Sequence, residues 1–232
     1  FEYTIINNSG STYENLHLGM YADWDMGDYS KNIATFDEST NTAITKEEGG
    51  LGLFAGVHLL DDKNINHYAY DNDGSNGSAS IYDGYDSLEW YTHLTGGISR
   101  ASSGTGDVSQ LVGNGPYTLA NGDSLVFAVA VVAGENLADI QNNALESDSI
   151  YSEIRNIDIS LSSLTPPKCA GDCNGSIAVL SSGGIGSHKY LWNDAGAQTT
   201  TTATGLCAGT YQCIVTDSVG NTDTIKNIVL ND

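Results

Sequence analysis

Two acidic stretches carry the side chains best suited to chemistry. Asp23-Trp24-Asp25-Met26-Gly27-Asp28 holds three carboxylates, and Asp71-Asn72-Asp73-Gly74-Ser75 holds two more among turn-forming residues. Calcium takes several hard oxygen ligands from flexible loops, and a cation relieves the repulsion between close carboxylates. Asp23, Asp25, Asp28, Asp71 and Asp73 are therefore the candidate metal ligands, with Ca2+ as the expected ion. The competing reading is that Asp, Asn and Gly simply build turns here. Neither stretch is an EF-hand: with Gly74 at the sixth loop position, Ala69 and Ser80 would stand where acidic ligands belong. Asp83, Asp86 and Glu89 lie nearby in sequence.

No catalytic constellation is expected. There is no G-x-S-x-G elbow, no H-E-x-x-H and no phosphate-binding loop. Gly50-Leu51-Gly52-Leu53-Phe54-Ala55 superficially resembles a dinucleotide fingerprint, but it opens a strand pattern rather than a helix. His17, His58, His67, His93 and His188 are scattered without partner spacing. Among the aromatics, Trp192 reads as core, and Trp90-Tyr91 is the candidate platform for stacking a sugar ring.

The elements that must position these residues are mostly strands. Phe1–Ile6, Leu16–Tyr21, Gly52–Leu60, Ile65–Tyr70 and Ser78–Tyr82 are expected strands. Tyr117–Leu119 and Ser124–Ala133 flank Asn121-Gly122-Asp123 as an expected hairpin. Leu125–Val132 is apolar on both faces, as in a central strand covered on each side. Asn136 is a good N-cap, and Leu137, Ile140, Ala144, Tyr151 and Ile154 recur at helical spacing, which predicts one peripheral helix. Ile157–Leu161 alternates again and is expected to close a first module. The fold class expected for residues 1–164 is a mainly β, antiparallel, jelly-roll-like sandwich. Short strands at Ile177–Leu180, His188–Trp192, Thr199–Thr204, Thr210–Thr216 and Thr222–Leu230 predict a small Ig-like β-sandwich over residues 165–232.

Composition sets the boundary and the class. Residues 1–164 carry 24 acidic and 5 basic side chains, residues 165–232 only 5 and 3. Pro166-Pro167 lies between them, and such a pair stiffens a linker. The net charge of −21 repels phosphate backbones and anionic lipid surfaces, so neither nucleic acid nor membrane insertion is expected. The apolar run Leu125–Ala133 is too short for a membrane helix. Phe1 at the start suggests a processed or excised piece of a larger polypeptide. Cys169, Cys173, Cys207 and Cys213 are confined to the last third. Their spacing favours disulfides and an oxidising compartment over a zinc site.

Residues 169–230 resemble the SprB-type repeat of large bacterial surface adhesins. The resemblance rests on Cys169-Ala-Gly-Asp-Cys173-Asn-Gly-Ser, Ser182-Gly-Gly, Tyr190-Leu-Trp192, Gly205-Leu206-Cys207-Ala-Gly209-Thr-Tyr211 and Val215-Thr-Asp217-Ser-Val-Gly220. Asn221 stands where the family often has a cysteine, and Cys213 sits on the Tyr211 strand instead. The resemblance implies a Cys173–Cys207 bridge. Cys169–Cys213 then follows by elimination, with Cys169–Cys207 plus Cys173–Cys213 as the rival pairing. Residues 1–160 look like the non-catalytic domain that follows subtilisin-like protease domains in type IX-secreted proteins. This rests on Tyr21-Ala-Asp23-Trp-Asp25-Met-Gly27, Tyr82-Asp83-Gly84, Asp107-Val-Ser109 and Gly115-Pro116-Tyr117-Thr-Leu119. Together these imply an extracellular or cell-surface, non-catalytic accessory or adhesive pair of modules. Its partners would be the rest of the parent polypeptide and a surface polysaccharide or protein. A carbohydrate-binding module is the alternative, and an enzyme the third.

Overall fold

The computed structural model describes residues 1–49, 52–60, 64–84 and 86–231. Gly50 and Leu51 of the dinucleotide-like stretch fall outside them. The chain divides into two compact units, Phe1–Asp148 and Ser149–Asp232. Strand is the dominant element in both.

The first unit contains β1 (Glu2–Ile6), β2 (Tyr13–Asp23), β3 (Asn32–Asp37), β4 (Thr42–Glu47), β5 (Phe54–Leu59), β6 (Ile65–Asp71), helix α1 (Ser87–Thr95), β7 (Ile98–Arg100), β8 (Val108–Leu119) and β9 (Ser124–Gly134). Helix α2 (Leu137–Arg155) follows. A five-stranded sheet runs β1-β9-β5-β4-β3 and a four-stranded sheet runs β2-β8-β6-β7. Every pairing is antiparallel except β6 with β7. The sheets meet face to face over Phe36, Ala43, Val57, Leu59, Phe127 and Val129 from one and Ala22 and Val112 from the other. This is the mainly β sandwich that the alternation predicts.

β9 shows why its sequence is apolar on both faces. Phe127 and Val129 enter the inter-sheet core, while Val132 packs with Ile44 and Ile140 beneath α2. Gly134 permits the approach of the helix, because a Cβ there would lie 2.5 Å from the Ile140 nitrogen. The cap is as expected: Asn136 Oδ1 accepts from the Asp139 N–H at 3.0 Å. The inter-sheet layer also carries polar groups. Gln110 Nε2 donates to Thr45 Oγ1 at 3.0 Å, and Gln110 Oε1 lies 3.3 Å from His67 Nε2. Burial pulls His67 down to about 4, so the ring is neutral at ordinary pH.

Several local expectations need correction. Ser78–Tyr82 is not a strand; it follows a 3-10 turn at Ser75–Gly77 and is tied back by the Asp73–Ser80 bridge and the Ile81 N–H donating to the Asn72 carbonyl. The turn at Asn121-Gly122 does not close a hairpin. β8 pairs with β2 and β6, whereas β9 pairs with β1 and β5, so the chain changes sheets there. Asn7 holds that corner by donating to the Leu119 carbonyl and accepting from the Gly122 N–H. A second helix, α1, stands where no helix was expected, and β3 and β4 are additional strands.

The second unit contains β10 (Ile157–Thr165), β11 (Gly175–Gly183), β12 (Lys189–Trp192), β13 (Thr202–Leu206), β14 (Gly209–Thr216) and β15 (Thr222–Leu230). Sheets β10-β11-β13 and β12-β14-β15 enclose a core of Ile157, Ile159, Ile177, Val179, Trp192, Cys213, Val215, Ile228 and Leu230. Trp192 is buried, with its indole N–H donating to the Thr200 carbonyl at 2.8 Å. β10 does not close the first unit. It pairs with β11 from Ile157–Gly183 to Thr165–Ser176, because Ile157 and Ile159 belong to the second core. The units therefore divide at residue 148, not 164, and Pro166-Pro167 lies in the β10–β11 connection. Asp217 anchors the turn before β15. Burial alone would raise its carboxyl, but N–H groups of Ile185, Val219 and Asn221 and the Asn221 amide donate to it and hold it at about 2.

Candidate functional site

The metal-like geometry sits at the end of β2. Asp23 ends that strand opposite Ser109 of β8, Asp25 lies in the loop just after it, and Asp107 immediately precedes β8. One carboxylate oxygen from each of the three lies within 4.8 Å of the others. Pairing of two strands distant in sequence thus builds a carboxylate cluster from one local pair and one remote residue.

A hydrogen-bonded shell orients Asp107. The Asn72 amide donates to Asp107 Oδ1 at 2.7 Å, and the Tyr82 hydroxyl donates to Asp107 Oδ2. Asn72, itself fully buried, accepts from Ser109 Oγ at 2.6 Å, which in turn accepts from the Tyr21 hydroxyl at 2.7 Å. The hydrogen bond to Asp107 pushes the Tyr82 phenol up to about 12, and burial raises Tyr21, so both remain donors at neutral pH. Burial, then the charges of Asp107 and Asp25, raise Asp23 above the usual carboxylate range. The cluster is thus a concentration of negative charge whose repulsion a positive group relieves.

The remaining sequence candidates go elsewhere. Asp28 caps the turn at Tyr29–Lys31 through Ser30 and pairs with Lys31 at 2.9 Å. Asp71 is buried, ion-paired with Arg100, and accepts from the Gly104 N–H at 2.8 Å. Asp73 holds the Ser75 N–H at 2.9 Å in a local turn. Asp71 and Asp73 therefore follow the turn-and-packing reading. Asp107 joins the candidate ligands only here, since nothing short of the β2–β8 register brings it to Asp23. A chelation titration checks the cluster. Calcium is expected to raise the melting temperature, the gain to be lost in Asp107→Asn, and the effect to grow with pH as Asp23 ionises. An equal shift in Asp107→Asn and the parent chain would place any bound calcium elsewhere.

Trp90 and Tyr91 do not form a platform. Successive helical residues point about 100° apart, and Trp90 packs edge-on to Tyr21, with ring centroids 5.2 Å apart. Tyr91 is exposed. One arrangement has the look of a nucleophile–base–acid relay: Thr42 Oγ1 lies 3.2 Å from His58 Nδ1, and His58 Nε2 lies 2.9 Å from Asp148. Thr42 is fully buried and pairs with His58 across β4 and β5, so no substrate reaches its hydroxyl. It ties α2 to the sheet.

In the second unit Cys173 and Cys207 form the expected disulfide. The Cys169–Cys213 bridge does not form. Cys169 is exposed, while Cys213 points from β14 into the core. Burial pushes the Cys213 thiol up to about 11, which makes it inert in the folded unit. The Tyr211 hydroxyl donates to the Cys207 carbonyl at 2.9 Å and fixes the far end of the bridge.

Residues 161–197 match the family model of the SprB repeat. The matched stretch runs from within β10, through both prolines and Cys173, to just past β12. No curated protein and no solved structure matches the chain. The repeat indicates a cell-surface or secreted protein. Among the described residues, no helix is long and apolar enough to cross a membrane.

Proposed function

We propose that the chain is a non-catalytic, adhesive or accessory pair of modules in a larger type IX-secreted protein. It attaches or spaces that protein at the cell exterior; a subtilisin-like protease is the parent suggested by the resemblance of residues 1–160. The observation that carries this reading is the SprB repeat match on a disulfide-stapled β-sandwich. The strongly acidic composition supports it, since it keeps an extracellular module soluble and apart from nucleic acid. The burial of Thr42 and the separation of Trp90 from Tyr91 weigh against a hydrolase and against a flat sugar platform. Incubating the purified chain with peptide, ester and glycoside substrates tests the non-catalytic half of the reading. The expected result is no turnover beyond that of chain unfolded by heat. Turnover that disappears on unfolding would refute it.

A further inference from the structure

One side of the first unit's sandwich is open. β1 and β2 are edge strands of opposite sheets, and an apolar groove runs between them. Its middle encloses about 450 Å³ over Tyr3, Ile5, Leu18, Met20 and Phe127. It continues past Ile6 and Leu16 at one end, and past Met20 and Trp24 to Asp23 at the other. Ile5, Leu18 and Met20 pack on the inter-sheet core yet remain partly exposed along it. They form the flank of a core that, among the described residues, no strand of this unit covers.

The two edges differ. β2 breaks register with β8 between Tyr13 and Leu16 and again between Leu16 and Leu18, with Asn15 at φ 57°. β1 pairs with β9 without interruption over its whole length. Phe1 exchanges hydrogen bonds with Val129, through its amino group and its carbonyl. Antiparallel pairs alternate, so Tyr3 and Ile5 also bond inward, while the N–H and C=O of Thr4 and Ile6 point away from β9. β1 therefore presents a regular, unbulged edge beside an apolar groove, and natural sheets seldom leave such an edge uncovered.

Charge fixes the rest. Asp23 lines the end of the groove that lies beyond the start of β1, and Asp25 and Asp107 stand with it in the carboxylate cluster. We propose that the groove binds an extended segment of a partner protein that adds to β1 as an antiparallel strand. Alternate apolar side chains of that segment enter the groove, and a basic residue at its C-terminal end meets the three carboxylates. Backbone pairing supplies the common part of the affinity, while the pockets and the terminal charge select the segment. This assigns a binding surface in the first unit and does not depend on the repeat in the second.

Fluorescence anisotropy on the full chain tests it, in chelator so that no metal competes. The probe is a labelled peptide, acetyl-Thr-Val-Thr-Ile-Thr-Val-Thr-Lys-Lys-amide. Replacing its two Lys by Glu is expected to weaken binding by about tenfold or more at low salt. N-methylation of alternate peptide nitrogens is expected to abolish binding, as is Thr4→Pro. Proline at Thr4 removes an outward N–H and leaves the inward bonds of Tyr3 and Ile5 in place. The N-methylated peptide gives the same answer with the unaltered protein. Absence of binding by the basic peptide, equal binding of the acidic one, or equal binding of the N-methylated one would each overturn the proposal.

Discussion

Replacing Cys173 and Cys207 together by Ser is expected to destabilise the second unit by about 4 kcal/mol. The bridge joins residues 34 apart, and closing a loop of that size removes about this much chain entropy from the unfolded state. The unit spans Ser149–Asp232, a size at which total stability is only about 5–10 kcal/mol. A large share of its margin therefore depends on one covalent link. Hydrogen exchange at Ile177–Leu180 and Tyr211–Val215, with and without reductant, reads the loss directly. A change below about 1 kcal/mol would mean that the bridge does not constrain the unfolded chain. Thiol labelling gives a companion result. Cys169 should react in the native protein and Cys213 only on unfolding.

Arg100→Met is expected to cost the first unit about 3–5 kcal/mol, because it strands a buried carboxylate. Arg100 donates to Asp71 and to the Ala69 carbonyl, and lies over the Tyr68 ring. The Asp71 side chain is only 4% exposed, too little for water to replace its partner. Asp71→Asn in the same chain should recover part of the loss, since the amide carries no charge to strand. Urea unfolding of the single and double variants measures both effects. If Arg100→Met alone costs less than about 1 kcal/mol, Asp71 has another counter-charge and belongs again among the ligand candidates.

Local patterns were legible wherever a segment's own chemistry decides its structure. The Asn136 cap and the spacing that follows it place α2, and the short strand read at Thr222–Leu230 coincides with β15. Long-range pairing was not. The apolar run of β9 reveals a covered strand but not its neighbours, so a change of sheet at Asn121-Gly122 reads as a hairpin. Ile157–Leu161 alternates equally well whichever core receives it, and only the β10–β11 register assigns it to the second. Helix α1 carries a readable signal of its own. Asp86 and Glu89 form a capping box around its first turn, although in sequence they look like more of the acidic cluster. The candidate site divides the same way. Asp23 and Asp25 were visible as neighbours, whereas Asp107 joins them only through the pairing of β2 with β8. Asp71 pairs with Arg100, which lies on the strand parallel to β6, a partner that sequence adjacency does not reveal.

The proposed role of this chain is to attach or space a larger surface protein without turning anything over. Retention of chain-coated beads under flow, on surfaces bearing bacterial exopolysaccharide or cell-wall protein, tests it most directly. Beads carrying the folded chain are expected to be held on at least one such surface, and beads carrying chain unfolded by reduction and heat to wash off like beads coated with an inert protein. If beads with folded chain wash off every surface like the inert control, the adhesive reading is contradicted.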